Sequence, residues 1–581
     1  MPTSDAQMSA KQGAGVKREP FEKRLNYMKT EFAKWVPALT ELSLYLNPTR
    51  GRFNSGIPNS GAKIDHTTVI DSHARRRIRD LASGMISGST SPSRPWFKLG
   101  LPDKDLEQYK PVREYLDECA RRMHATLADS NAYESLHVAY EEIATFGTSS
   151  MLILEDYRDT VRFRNFTSGE YFLSIGPDGR VNGIGRQFWA QVGALVSEFG
   201  IDNVSPSVKS AYETNSTQGW IKVNHLIEVN DTRIPGYADF RNMPYRSVYW
   251  EEGSSTDTFL RRSGFEEFPC VAPRWSTTSA TDIYGYAPGW DVLGDDKMLQ
   301  TMQIQKLMAL DKAINPPMQA DSSVQGSVNT LPGGVTRFSA LLPNAGLKPA
   351  YQIAPDINAM REDILEVKKA LDDSFFNDLF RMMIEMERSN VTATEIAEKQ
   401  SEKLNMLSPV IAKLNNEQNN PMIDRVFNIM NRNGQLPELS EELEELIGGM
   451  PMKVTYVSIF AQAQKMIGIT AIEQNLGFGL NIAGKTGDAS VLDNYDLDET
   501  IRIYADSIGV PAKTMNDAAI VAAKRKERAE AAAKQAQADA MTQMIEGAAK
   551  GAKAAKDLGT TPVGANSALD AAMAGITGAQ P

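Results

Sequence analysis

Along the first third of the chain, apolar residues recur at the three- and four-residue spacing of an amphipathic helix. Leu25, Met28, Phe32, Trp35, Leu39, Leu42 and Leu46 form one such series. It predicts helix over 21–46, with a kink or a break at Pro37, whose ring and missing N–H oppose helix continuation. Residues 48–62 are rich in Gly, Pro and Asn and read as loop. Ile70, Ala74, Ile78, Leu81 and Met85 mark the next helix, with Arg75, Arg76, Arg77 and Arg79 on its flanks. Two further amphipathic helices are predicted at 111–127 and 132–146. Between them and the arginine-flanked helix lies "SGSTSPSRPWF", a polar, proline-broken corner followed by Trp96 and Phe97. A binding loop and a buried anchor both fit that corner.

The period then changes. "SMLILE", "TVRFRNF" and "RSVYWEE" are short runs of β-branched and aromatic residues, which predict antiparallel hairpins across 149–275. Pro177-Asp178-Gly179 reads as a turn, since Pro presets φ and Gly accepts a positive φ. A long helix is predicted at 291–314. Asp291, Asp295 and Asp296 stand at its start and Lys306 and Lys312 near its end, a polarity that suits the helix dipole. Asn315-Pro316-Pro317 stops it. Residues 318–355 read as a compact non-helical insertion, and a second long helix is predicted at 356–387. Ser389 and Asn390 interrupt the helical pattern, and Thr392 with Glu395 forms a capping box for a new helix. "MKVTYVSIF" reads as one strand, and the Ala-, Lys- and Gln-rich stretch 518–558 as helix. Residues 1–20 are expected to be a disordered arm and 559–581 a flexible end. The fold class is α+β, mainly α.

Composition narrows the function classes. The chain has 581 residues, 42% hydrophobic and 23% charged, ordinary globular values. Cys119 and Cys270 lie far apart and offer neither a disulfide framework nor a zinc site. The first fifteen residues lack the apolar core of a secretory signal, and no run approaches the roughly 18 apolar residues of a spanning helix. Synthesis in the cytoplasm and no membrane insertion are expected. The net charge of −11 argues against a protein that grips DNA tightly. It leaves room for DNA that slides past a repelling wall.

Candidate chemistry is sparse. "GLNIAGKT", Gly479 to Thr486, matches the phosphate-cradling pattern G-x-x-x-x-G-K-[ST], and "SMLILED" offers a hydrophobic run ending in Glu155 and Asp156. A working P-loop must come after a buried strand and open a helix. Here the preceding "TAIEQNLGF" reads as helix and the stretch "GDASVLDNYD" after Thr486 as loop, so the match is expected to be fortuitous. His66 and His73 could face together, yet no Cys or His partner stands near for a metal. The arginine flanks read as a solvated face balanced by Asp71 and Asp80 rather than a phosphate patch. The acidic pairs Asp295-Asp296 and Asp372-Asp373 also read as solvated. No catalytic residue, cofactor or metal is expected.

Several stretches together resemble the head-to-tail connecting (portal) protein of short-tailed, podovirus-type bacteriophages. They are "DSHARRRIRDLASGMISGSTSPSRPWFKL", "GEYFLSIGPDGRVNGIGRQFWAQVGALVSEFG", "YGYAPGWDVLGDDKMLQTMQIQKLMALDKAINPP" and the "ERSNVTATEI" break. The likeness runs from about 20 to 510 in the family's order, with a looser match at "TDIYGYAPGW" and at 320–350. It implies a portal fold and a dodecameric ring at one capsid vertex, through which double-stranded DNA is packaged and ejected. It implies the terminase large subunit, tail or adaptor proteins, and major capsid and scaffolding proteins as partners, and a place in the virion. Placed on this chain, it implies a wing at 21–290, stem helices at 291–314 and 356–387, and a clip at 315–355. A tunnel loop would come next at 388–394, then a tunnel helix and return to the wing at 395–460, and a crown with C-terminal helix at 461–558. Arg388, Ser389, Asn390 and Val391 would line the DNA channel. Trp96 and Phe97 would anchor a wing corner. A P-loop NTPase and a helical scaffold or adaptor are the competing readings.

Overall fold

The computed structural model describes residues 17–558, apart from 54–68, 104–105, 107–108, 235, 238, 255–256, 321–323, 325–327, 330–333, 336–346, 351–355, 381–405, 448–449, 451, 488, 509–513 and 517. The chain divides into two units, Met1–Val510 and Pro511–Pro581.

The first apolar series folds as α1 (Glu19–Ala33) and α2 (Val36–Tyr45), burying Phe21, Leu25, Met28 and Phe32, then Leu39 and Leu42. The break falls at Lys34 and Trp35, ahead of the proline. Pro37 stands in the first turn of α2, where a missing N–H costs no hydrogen bond. Glu19 and Pro20 already belong to α1, so the expected arm is shorter at its end than read; its residues 1–16 lie outside the described residues. Next come α3 (His73–Ser89), β1 (Phe97–Gly100), α4 (Lys110–Asp129) and α5 (Ala132–Phe146). Ile70 stands outside α3 and is exposed.

The change of period yields β2 (Ser150–Asp156), β3 (Thr160–Phe166), β4 (Tyr171–Ile175) and β5 (Val181–Gln191). Then come α6 (Val192–Phe199), α7 (Pro206–Glu213), β6 (Trp220–Val229), β7 (Tyr245–Glu251), β8 (Arg261–Phe265) and β9 (Cys270–Val271). All their pairings are antiparallel, in the orders β3-β2-β9 and β4-β5-β6-β7-β8. The Pro177 turn joins β4 to β5, with Gly179 at φ +73° donating to the Gly176 carbonyl at 3.0 Å. Helix α1 lies flush on β5 because Gly185 has no side chain. A Cβ there would lie 2.4 Å from Leu25.

The remainder is mostly helical: α8 (Pro288–Asp291), α9 (Leu293–Ile314), the strand pair β10 (Met318–Ala320) and β11 (Leu347–Pro349), and α10 (Ile357–Ser374). Residues 406–414 are helical and run through a π-helical turn, Asn415–Asn419, into α11 (Asn420–Arg432). Then come α12 (Glu441–Ile447), β12 (Lys453–Tyr456), α13 (Ile459–Thr486) and α14 (Leu497–Ile508). In the second unit α15 spans Ala518–Leu558; the expected flexible end lies outside the described residues. Strand β12 is shorter than "MKVTYVSIF" suggests, because α13 already begins at Ile459.

Strand β12 returns to pair with β1, Phe97 facing Tyr456. Trp96 and Phe97 are both fully buried. The Trp96 indole N–H donates to the Tyr133 hydroxyl at 3.3 Å, and its ring stacks on Tyr456. The aromatic pair is therefore an anchor, not a binding loop. One large apolar core runs through α1, α3, α4, α5 and α11, and a smaller one joins α6 and α7 to β6.

Candidate functional site

Helix α9 has 22 residues and α10 has 18, lengths of about 33 and 27 Å. They pack against each other, with Leu299 and Leu371 fully buried. Helix α9 starts two residues later than its expected 291, after the separate turn α8. Helix α10 ends at Ser374, helix resumes over 377–380, and the rest of the expected span to 387 lies outside the described residues. Phe376, at φ +54°, breaks it, and the turn brings Phe375, Leu379 and Phe380 all into the core. Asp356 caps its start, accepting from the backbone N–H groups of Asn358 and Ala359. At the far end β10 pairs with β11, and the Ala350 N–H donates to the Pro317 carbonyl at 2.7 Å.

At the near end a polar hub ties both helices to the start of α3. Gln300 is buried. Its carbonyl accepts from the Ile70 and Asp71 N–H groups, each at 2.8 Å, and its amide donates to the Asp71 carbonyl at 2.9 Å. The Asp71 carboxylate accepts from Lys368 at 2.6 Å and Gln303 at 2.7 Å. Asp372 sits 2.7 Å from both His73 Nε2 and Arg77 Nε, and Arg77 also reaches Asp80 at 2.7 Å and Asn377 at 2.9 Å. Asp80 pairs with Arg77, which is drawn into this hub rather than left on a solvated face, and Asp71 is taken by Lys368.

Asp296 corrects the reading of its pair as solvated. It is fully buried beside Gln300, and burial pushes its carboxyl up to about 7 despite its place in the first turn of α9. Desolvation outweighs the helix dipole there. Asp372 is not a free solvated charge either.

Two glycines of α3 form slots. A Cβ on Gly84 would lie 2.1 Å from Phe380, and one on Gly88 would lie 2.5 Å from Phe460. The two phenyl rings meet edge to face at 6.4 Å. The end of the α10 region and the start of α13 therefore rest on successive turns of one helix. Arg388, Ser389, Asn390 and Val391, with the Thr392–Glu395 capping box, lie outside the described residues. Their flanks do not: Phe380 and Leu407 are both fully buried in the same core.

The P-loop match has no loop. Gly479 to Thr486 lies wholly inside α13, where backbone N–H groups serve the helix ladder instead of a phosphate. Gly479 answers a packing need, since a Cβ would lie 2.8 Å from the Tyr495 ring. Glu155 accepts from Arg432 at 3.0 Å, and Asp156 caps a turn by accepting from the Arg158 N–H at 2.8 Å. His66 lies outside the described residues. Among the described residues no group of three His, Cys, Asp or Glu is placed to hold a metal, and no helix is long and apolar enough to cross a membrane.

The lower half of α9 leaves large apolar side chains uncovered: Ile304, Leu307, Met308 and Ile314 are all exposed, as are Ile357 and Leu365 of α10. Contiguous exposure of this kind is unusual for a protein that works alone.

The family model for the bacteriophage head to tail connecting protein matches residues 18–515. The portal protein of Salmonella phage epsilon15 is 39% identical over 558 residues, covering 96% of this chain and 98% of that protein. The probable portal protein of Bordetella phage BPP-1 is 36% identical over 529 residues, covering 91% and 94%. A solved gene transfer agent neck is 11% identical, covers 66% of this chain and 91% of its own, and has a TM-score of 0.28, too distant to carry weight.

Proposed function

This chain belongs to the bacteriophage head to tail connecting protein family, and from that premise we infer that it is the portal protein of a short-tailed phage. The observation that carries this is the extent of the kinship. Two portal relatives match more than nine-tenths of the chain, in order and nearly end to end. The fold is mainly α with small antiparallel sheets, and the protein is a structural component of the phage particle.

We propose further that the chain forms a dodecameric ring at one capsid vertex, with α9 and α10 as the stem and β10–β11 at the base of the clip. The uncovered apolar side chains of α9 support a neighbour at that face. Double-stranded DNA would pass through the ring without being read. The terminase large subunit would dock for packaging, and tail or adaptor proteins would take its place afterwards. Major capsid and scaffolding proteins would surround the wing. Electron micrographs of the purified chain test assembly: closed rings are expected, and a stable monomer in mild buffer would overturn it.

Within the ring we assign the channel collar to Arg388, Ser389, Asn390 and Val391. The described residues on either side, Phe380 and Leu407, are both buried in the main core. A ring of Arg388 side chains would slow slippage of DNA without the many phosphate contacts of tight binding. Arg388→Ala should leave rings and empty heads normal but lower the DNA held per head. A variant that fills and keeps its genome like the parent would remove the assignment.

A further inference from the structure

Outside the stem, one row of side chains crosses a face of the five-stranded sheet. Directly paired positions run Tyr171, Arg186, His225, Tyr249 and Arg261 across β4 to β8. Paired residues of antiparallel strands point to the same face, so these five form a ladder. Arg186 is its unusual rung. It is only 6% exposed, and its Nε and Nη1 are buried without a hydrogen-bond partner. Its guanidinium lies 4.5 Å from the Phe166 ring centroid and 4.2 Å from that of Phe188. These rings orient the plane of the fork without satisfying its N–H groups.

Its charged surroundings are mixed: Tyr249, Glu170 and Glu198 favour the Arg186 charge and Arg164 opposes it. Arg164 bears on Arg186, and Arg186, Arg164 and Arg261 all bear on His225. Both acids already have closer partners, Glu170 in Arg52 at 2.6 Å and Glu198 in Arg261, the outermost rung, at 3.3 Å. His225 stacks on Tyr249 with ring centroids 3.7 Å apart, and its Nε2 lies 3.0 Å from the Ser247 hydroxyl. When Ser247 donates, the imidazole proton lies on Nδ1, which is also buried and unpartnered. Burial and its cationic neighbours hold His225 neutral, so it can donate one hydrogen bond without adding charge.

A buried cation with open N–H groups is costly, whereas a planar fork between two rings is matched to a pair of oxygens. We propose that Arg186, with the His225 rung beside it, is a binding site for a small tetrahedral oxyanion of the phosphate or sulfate type. The bound anion would bridge the seam between the main core and the smaller core under α6 and α7. The site stands apart from the stem and owes nothing to the channel assignment.

Thermal melting of the full chain in inorganic phosphate, against chloride at matched ionic strength, tests it. The parent should show a saturable upward shift of about 2–4 °C. Arg186→Met should abolish that shift, and in phosphate-free buffer should melt at or above the parent, because it removes an unpaired buried charge. Arg186→Lys keeps the charge but loses the fork, so it should show less than about half the shift, and it decides the matter if the methionine variant does not fold. No saturable shift in the parent, or an equal shift in the variants, would overturn the site.

Discussion

Gly84 faces Phe380 so closely that a Cβ on the glycine would lie 2.1 Å from the ring and 2.5 Å from the phenylalanine Cβ. Contact with the root of the side chain leaves no rotamer that escapes. Gly84→Ala should therefore cost about 2 kcal/mol net, overpacking exceeding the helix propensity gained. Gly294→Ala is the control. It too sits in a helix, but nothing lies within 4 Å of its would-be Cβ, so neutrality or a gain of up to about 1 kcal/mol is expected. Urea unfolding of both variants checks the pair.

Asp296 predicts a pH dependence. Its folded value, about 7, lies above the ordinary 3.8, so the folded chain holds the proton more tightly than the unfolded one. Its contribution is therefore most favourable below about pH 4, declines as pH rises to about 7, and is flat beyond. Asp296→Asn removes that slope. Relative to the parent, the variant should gain about 2–3 kcal/mol of stability between pH 5 and pH 8. A parent-minus-variant difference that stays constant across that range would contradict it.

Met308 and Leu307 are 59% and 55% exposed in the single chain. Met308→Glu should leave the melting temperature of the dissociated chain nearly unchanged, as surface substitutions usually do. In sedimentation velocity the same variant should lose the ring species, because an unpaired carboxylate would be buried between neighbours.

Lys485 ends a helix instead of gripping a phosphate. Lys485→Ala should form rings and package DNA like the parent. Specific ATP binding present in the parent and absent from the variant would restore the P-loop reading.

Much of this was legible from spacing alone. The Leu25–Met28–Phe32 series named the buried side of α1, and Pro177-Asp178-Gly179 placed its hairpin turn, since both depend on neighbours a few residues away. The Phe375–Phe376 break was not legible, because the apolar period continues across it and only the core behind decides which phenylalanine turns inward. Nothing in the local pattern marks the role of Gly84 and Gly88. A missing side chain does not say what fills its place. Asp296 read as solvated because the segment that its neighbour Gln300 binds, Ile70–Asp71, lies about 230 positions from Gln300. Arg186 fits a strand's alternation whether or not anything satisfies it. The collar residues were read from the capping box and the family likeness, not from contacts.

The paired long helices are fastened at both ends: by Gln300 and Lys368 to the Asp71 segment at one, and by the Gln319–Lys348 strand pairing at the other. Two rods joined only at one end can slide past each other and flex singly. Laced at both ends, they act as one column, in which bending either member must stretch or compress its twin. Thrust along the axis is then carried as tension and compression in the backbone ladders, and the pair resists buckling more than two separate helices of the same length would.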